Sequence, residues 1–68
     1  MTGEQLTVMF KNNPKLTAHA LGETLRDFGY RDLKDSYVLE ETQLLLDGSE
    51  PRGIIGRFIQ GWLKDGLN

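Results

Sequence analysis

Residues 35–48 read DSYVLEETQLLLDG, and this stretch decides the fold class. Its apolar residues recur at a spacing of seven, close to two helical turns. The repeating pairs are Tyr37 with Leu44, Val38 with Leu45, and Leu39 with Leu46. The pattern predicts a helix over residues 35–47 that is capped by Asp35 or Ser36 and ends at Gly48. Because apolar residues cover nearly its whole circumference, we expect this helix to lie centrally or at a subunit interface, with its last leucines in the core.

The next segment predicts a fourth helix over residues 50–65, with Ser49 as its cap and Pro51 in its first turn. Large apolar residues span about half of its circumference. They are Ile54, Ile55, Phe58, Ile59, Trp62 and Leu63. Glycines inside a helix each cost roughly 1 kcal/mol relative to alanine. Two of those in this segment, Gly56 and Gly61, border the apolar face, where a small residue lets another helix approach closely.

Before the central stretch, residues 18–28 form a second predicted helix, capped by Thr17 and closed by Gly29. Leu16 before the cap and Leu21 after it fit a hydrophobic staple. One apolar stripe runs along the segment through Ala18, Leu21, Leu25 and Phe28. We expect this stripe to face the core.

The first segment, residues 3–11, fits both a helix and a strand. Thr2 and Gln5 form a capping-box pattern, but Leu6, Val8 and Phe10 also alternate as in a strand. No second strand is available to pair with it, so we predict a helix that ends before Pro14. The fold class is therefore all-α, a compact bundle of about four short helices in a single domain over residues 1–68.

Composition excludes several function classes. The chain has 68 residues, no cysteine, one histidine and a net charge of −2. This length fits one small domain. The absence of cysteine excludes a thiolate nucleophile and a thiolate zinc site. The N-terminus lacks the pattern of a signal peptide, and no apolar run is long enough to cross a membrane. We expect a cytoplasmic protein.

No motif points to catalysis or to a cofactor. The sequence has no glycine-flanked serine of the nucleophile-elbow type and no lysine after a glycine-rich phosphate loop. His19 and Glu23 stand four residues apart, but two ligands make at most a weak metal site. We interpret them as an exposed helical pair beside Arg26 and predict no metal site. The sequence predicts a protein that is not an enzyme and binds no cofactor.

Charge is distributed unevenly along the second half of the chain. Residues 36–50 carry four carboxylates and no cation, whereas residues 51–68 carry Arg52, Arg57 and Lys64 against Asp65. Glu41 stands between two apolar rows of the third helix. We expect Glu41 to reach water or to meet an arginine of the fourth helix; the alternative is a specificity contact across an interface.

A nucleic-acid-binding function is the alternative from a different class. Residues 18–47 contain a helix, a glycine turn and a helix, but Leu25 and Asp35 occupy positions where a helix-turn-helix needs a small and an apolar residue. Carboxylates on the second of these helices would repel phosphate. A noncanonical contact remains open through four basic residues: Lys11, Lys15, Arg26 and Arg31.

We therefore expect a non-catalytic protein–protein interaction module, a small regulator or adaptor that docks through the fourth helix and the exposed part of the third. The predicted partner-binding residues are Ile55, Phe58, Ile59, Trp62, Arg57, Lys64 and Glu41. The expected partner is another protein or a second copy of this chain. A small nucleic-acid-binding regulator is the alternative, and a membrane is the least favoured partner.

Overall fold

A computed structural model describes residues 1–67, which contain four helices and no strand. The helices are α1 (Gly3–Asn12), α2 (Pro14–Asp27), α3 (Asp35–Leu46) and α4 (Ile54–Asp65). Helices α2 and α4 each pack against both α1 and α3. The predicted all-α class is confirmed. None of the helices in residues 1–67 combines the length and the apolar composition needed to cross a membrane.

All four helices contribute to the core. The buried apolar side chains are Leu6, Phe10, Ala18, Leu21, Leu25, Val38 and Ile59. Helix α3 supplies only Val38 to this set, and Leu44, Leu45 and Leu46 are half-buried. The expectation that the last leucines of α3 are buried in the core was therefore wrong, and a position at a subunit interface stays a prediction. Helix α3 packs against α2 and α4, and Leu39 and Leu45 contact the core while remaining partly exposed.

Helix α1 begins as the capping box predicts. The Gln5 backbone N–H donates to Thr2 Oγ1 at 3.0 Å, and the Thr2 N–H donates to Gln5 Oε1 at 2.9 Å. Leu6 and Phe10, one helical turn apart, are buried, whereas Val8 is exposed. The helical spacing therefore decides which side chains enter the core, and the strand alternative is excluded for this segment.

Helix α2 begins at Pro14, four residues before the predicted start at residue 18. Proline suits the first helical position because the amide hydrogen it lacks would have no partner there. Thr17 is consequently inside the helix and is not its cap: its hydroxyl donates to the Asn13 carbonyl at 2.8 Å. Leu16 is 60% exposed, so the predicted staple is absent.

Glycines end α2 and α3 as predicted. Gly29 and Gly48 have φ values of 121° and 100°, a region that side chains disfavour. After α2, the Tyr30 N–H donates to the Leu25 carbonyl at 3.2 Å; after α3, the Ser49 N–H donates to the Leu44 carbonyl at 2.9 Å. These are Schellman closures, which depend only on local sequence.

Helix α4 begins at Ile54 and not at residue 50, with Gly53 as its N-cap residue. Ser49 is not the cap, since its N–H closes α3. The residues before Ile54 are held by a contact with α3: the Arg52 N–H donates to Glu41 Oε2 at 3.0 Å. Because this hydrogen bond holds the backbone of Arg52 against α3, it favours a start of α4 after Arg52 over a start at residue 50.

Candidate interaction surface

Four aromatic rings from two parts of the chain meet at one surface. Phe58 lies at the centre, with its ring centroid 5.7 Å from Phe28, 6.1 Å from Tyr30 and 5.9 Å from Trp62. Phe28 and Trp62 are 6.4 Å apart. These separations and the tilted or edge-on angles are those that aromatic pairs favour. The rings therefore form one continuous cluster between the end of α2 and the middle of α4.

Phe28 is the most accessible member of this cluster. Its side chain is 58% exposed, whereas Tyr30, Phe58 and Trp62 are half-buried and pack against the core. The sequence predicted Phe28 in the core because it continues the apolar stripe of the second helix. That prediction was wrong: Phe28 is the C-cap residue of α2, where its side chain is exposed beside Phe58 and Trp62.

Ile54 extends the apolar surface along α4. It is 57% exposed and stands one turn before Phe58 on the same helix face. Ile54 lies outside the core cluster, whereas its neighbour Ile55 packs against it. We call the group formed by Phe28, Ile54, Phe58 and Trp62 the aromatic surface.

The structure separates the predicted apolar site residues into core and surface. Ile59 is 0% exposed and lies in the core, so it is unavailable to a partner. Ile55 is half-buried and packs against the core, whereas Phe58 and Trp62 belong to the aromatic surface. A helical wheel of α4 gives the width of the apolar arc, but packing against α1 and α3 decides which part of it is covered. Phe28 was missed because it lies on another element.

The two predicted basic site residues lie on the exposed side of α4. Arg57 and Lys64 are exposed and stand seven residues apart, which places them on one helix face. Within residues 1–67 neither forms an ion pair. We call these two residues the basic row; it runs beside the aromatic surface.

Glu41 is bound within the fold. It is 1% exposed, and its carboxylate accepts from Arg52 at Nε (2.6 Å) and at the backbone N–H (3.0 Å). Arg52 also donates to Glu40 at 3.0 Å and lies over the Tyr37 ring. The expected arginine partner is therefore present, although it precedes α4. The arrangement pairs a buried charge and connects α3 to the start of α4.

His19 joins α2 to the first residue of α3. Its Nδ1 lies 2.6 Å from Asp35 Oδ2, and its Nε2 lies 2.5 Å from Glu23 Oε1. Arg26 donates to the other oxygen of Asp35 at 2.8 Å. The two ring nitrogens face different carboxylates, so the donors do not converge on one point. Within residues 1–67, no group of three such side chains is placed to hold a metal ion.

The histidine contacts predict a pH-dependent contribution to stability. The hydrogen bond to Asp35, and then the charges of Asp35 and Glu23, raise the pKa of His19 above its ordinary 6.5. Because the pKa is raised in the folded state, the protonated form of His19 stabilises the fold. This contribution is fully present below pH 6.5 and is lost as the pH rises through the higher pKa of the folded state. Because neutral imidazole has one N–H, it cannot donate to both carboxylates.

We therefore expect His19→Ala to destabilise the protein more at pH 5.5 than at pH 8.5. The measurement is the urea midpoint of both proteins across this range, in which Asp35 stays ionised because the bond from His19 lowers its pKa below 3.8. A difference between the two proteins that does not change with pH would contradict the assignment.

The four basic residues of the nucleic-acid alternative do not form one charged patch of free side chains. Arg26 donates to Asp35 at 2.8 Å and to the Leu33 carbonyl at 3.1 Å. Lys11 and Lys15 are exposed on α1 and α2, and Arg31 is exposed in the following loop. The Arg26 guanidinium is therefore already hydrogen-bonded to the loop between α2 and α3 and to the start of α3.

Comparisons with models of protein families, with characterised proteins and with solved structures found no match to this chain. The arrangement of side chains is therefore the basis for a functional conclusion. Met1, Val8 and Met9 are also exposed, at and before α1, but the aromatic surface combines exposed apolar side chains with aromatic rings in mutual contact.

Proposed function

We propose that this chain is a non-catalytic protein-interaction module, a small regulator or adaptor, that binds another protein through the aromatic surface. The observation that carries the proposal is the exposure of Phe28 and Ile54, at 58% and 57%, beside the half-buried Phe58 and Trp62. Contiguous apolar surface of this kind marks interaction sites, and aromatic residues are the usual anchors of interfaces.

The energetics support a role for these side chains in binding. Burying one large apolar side chain contributes roughly 1.5–3 kcal/mol. In the isolated chain more than half of Phe28 and of Ile54 is exposed to water. A partner that covers them therefore gains much of this free energy on binding. Phe58 and Trp62 are already held by the core and by each other, so they lose little freedom when a partner covers them.

The titratable side chains support a non-catalytic role. Glu41 is bound to Arg52, and His19 and Asp35 are bound to each other. Each of these pairs connects two segments of the fold. None lies within the aromatic surface, whose members have no acid, base or nucleophile.

Capture from an extract of the source cells tests the proposal with Phe28→Ser and a matched control, Leu16→Ser. Both residues are apolar and similarly exposed, at 58% and 60%, but Leu16 lies at the start of α2, away from the aromatic cluster. We expect the wild type and Leu16→Ser to capture the same protein and Phe28→Ser to lose it. Circular dichroism of each variant establishes that the fold is retained.

Equal capture by Phe28→Ser and Leu16→Ser would contradict the proposal. Sedimentation over a concentration series adds a second arm. Self-association that Phe28→Ser removes would identify a second copy of this chain as the occupant in place of another protein. A salt-dependent shift of DNA mobility that Phe28→Ser leaves unchanged would favour the nucleic-acid alternative.

A further inference from the structure

The exposed side of α4 carries two parallel rows of different chemistry. Ile54, Phe58 and Trp62 follow one another at intervals of four residues and form an apolar row. The basic row, Arg57 and Lys64, lies next to it on the side away from the core residue Ile59. A segment that covers the apolar row therefore comes within reach of two cations.

Gly61 lies at the seam between the two rows. A Cβ built at this position meets nothing within 4 Å, so the fold itself does not require glycine there. Gly56, on the opposite border, differs: its Cβ would collide with the Glu41 carboxylate and with Pro51. Because glycine has no side chain, the backbone of another helix can approach α4 closely at Gly61.

Building on the proposed function, we infer that the segment bound by the aromatic surface is an acidic amphipathic helix lying along α4. Its apolar residues cover Ile54, Phe58 and Phe28, and its carboxylates flank them opposite the basic row. Asp65 is exposed and, at 100° per residue, falls on the side of the apolar row, so it opposes carboxylates of a partner at the C-terminal end of α4. Arg57 therefore supplies most of the attraction, and the partner's carboxylates are expected near the middle of α4.

A second copy of this chain is the competing occupant. In a two-fold contact the same patch meets itself, so antiparallel α4 helices crossing at Gly61 would bring Arg57 of one copy near Asp65 of the other and leave each Lys64 opposite Phe58. Self-association in sedimentation that Phe28→Ser removes would therefore overturn the inference. An anionic membrane is a poor match, because within residues 1–67 two cations border the apolar row and the chain as a whole carries a charge of −2.

The experiment selects binders without assuming their charge. A display library of helical peptides with random residues at the positions facing the target is panned on the intact chain. We expect the enriched peptides to combine large apolar residues at helical spacing with glutamate or aspartate on one flank. Trp62 is the sole tryptophan of the chain and lies within the aromatic surface, so its fluorescence measures the affinity of each peptide synthesised without tryptophan.

Variants of the chain then test each row separately. We expect Arg57→Glu to weaken the best acidic peptide by about tenfold or more, with a steep dependence on salt. Lys11→Glu, the same charge change on α1, should alter the affinity by no more than about twofold. Gly61→Leu should weaken binding while the circular dichroism spectrum stays unchanged, since its side chain extends into open space.

Each other outcome overturns a defined part of the inference. Enriched peptides that are neutral or basic but still require Phe28 would refute the acidic partner and leave the proposed function standing. Peptides that bind equally well to Phe28→Ser would refute the proposed function as well. The absence of any enriched helical peptide, or tighter binding to phosphatidylglycerol vesicles than to the peptides, would also overturn the inference.

Discussion

We expect Leu25→Ala to lower the free energy of unfolding by about 2–5 kcal/mol, which is the range for removing a buried leucine side chain. Leu25 is 0% exposed and belongs to the core that α1, α2, α3 and α4 share. A domain of 68 residues has a total stability of about 3–10 kcal/mol at typical values per residue. The substitution therefore removes a large fraction of the total and leaves part of the protein unfolded at room temperature.

Urea titration followed by circular dichroism measures this effect. Leu16→Ala is the matched control: it removes the same atoms from the same helix at a site that is 60% exposed, and it should change stability by less than about 0.5 kcal/mol. Similar losses for Leu25→Ala and Leu16→Ala would show that α2 is packed with a different face toward the core.

Alanine at two glycines of α4 should have opposite effects. A Cβ at Gly56 would meet Pro51 at 3.0 Å and come still closer to the Glu41 carboxylate. Overpacking of this kind costs about 1–3 kcal/mol, and displacing Glu41 also weakens its bonds to Arg52. We expect Gly56→Ala to be destabilising, although alanine is the better helix former by roughly 1 kcal/mol.

Gly61→Ala isolates the helix-propensity effect, since nothing lies within 4 Å of its Cβ. We expect this variant to be more stable than the wild type by about 0.5–1 kcal/mol. The comparison uses the same substitution in the same helix, measured by thermal and urea unfolding. Stabilisation of both variants would show that Glu41 and Pro51 do not lie as close to Gly56 as the structure indicates.

The sequence predicted some of the features that depend on neighbouring residues, and missed the N-caps of α2, α3 and α4. The capping box at Thr2 and the glycine closures at Gly29 and Gly48 need only a few adjacent residues, and all three are present. The starts of α2 and α4 were placed wrongly for two reasons. Thr17 fits a cap as well as a helix interior, and Arg52 is held by a carboxylate eleven residues earlier.

The candidate site was predictable in part. The breadth of the apolar arc on α4 indicated that part of it stays uncovered, and Phe58 and Trp62 lie within the resulting surface. Which edge of the arc is covered depends on the packing of α1 and α3, and this places Ile59 in the core while Ile54 is exposed. Phe28 continues the apolar stripe of α2, but helical periodicity does not show how far along the stripe the other helices cover it, and Phe28 is 58% exposed.

Photo-crosslinking in the source cells tests the central claim, that another protein binds at the aromatic surface, most directly. A photoreactive phenylalanine analogue replaces Phe28 in one sample and Leu16 in the other, so that both probes sit at exposed apolar sites. We predict a discrete adduct with one other protein from position 28 and none from position 16. The same adducts from both positions, no adduct from position 28, or an adduct formed by two copies of this chain would contradict the account.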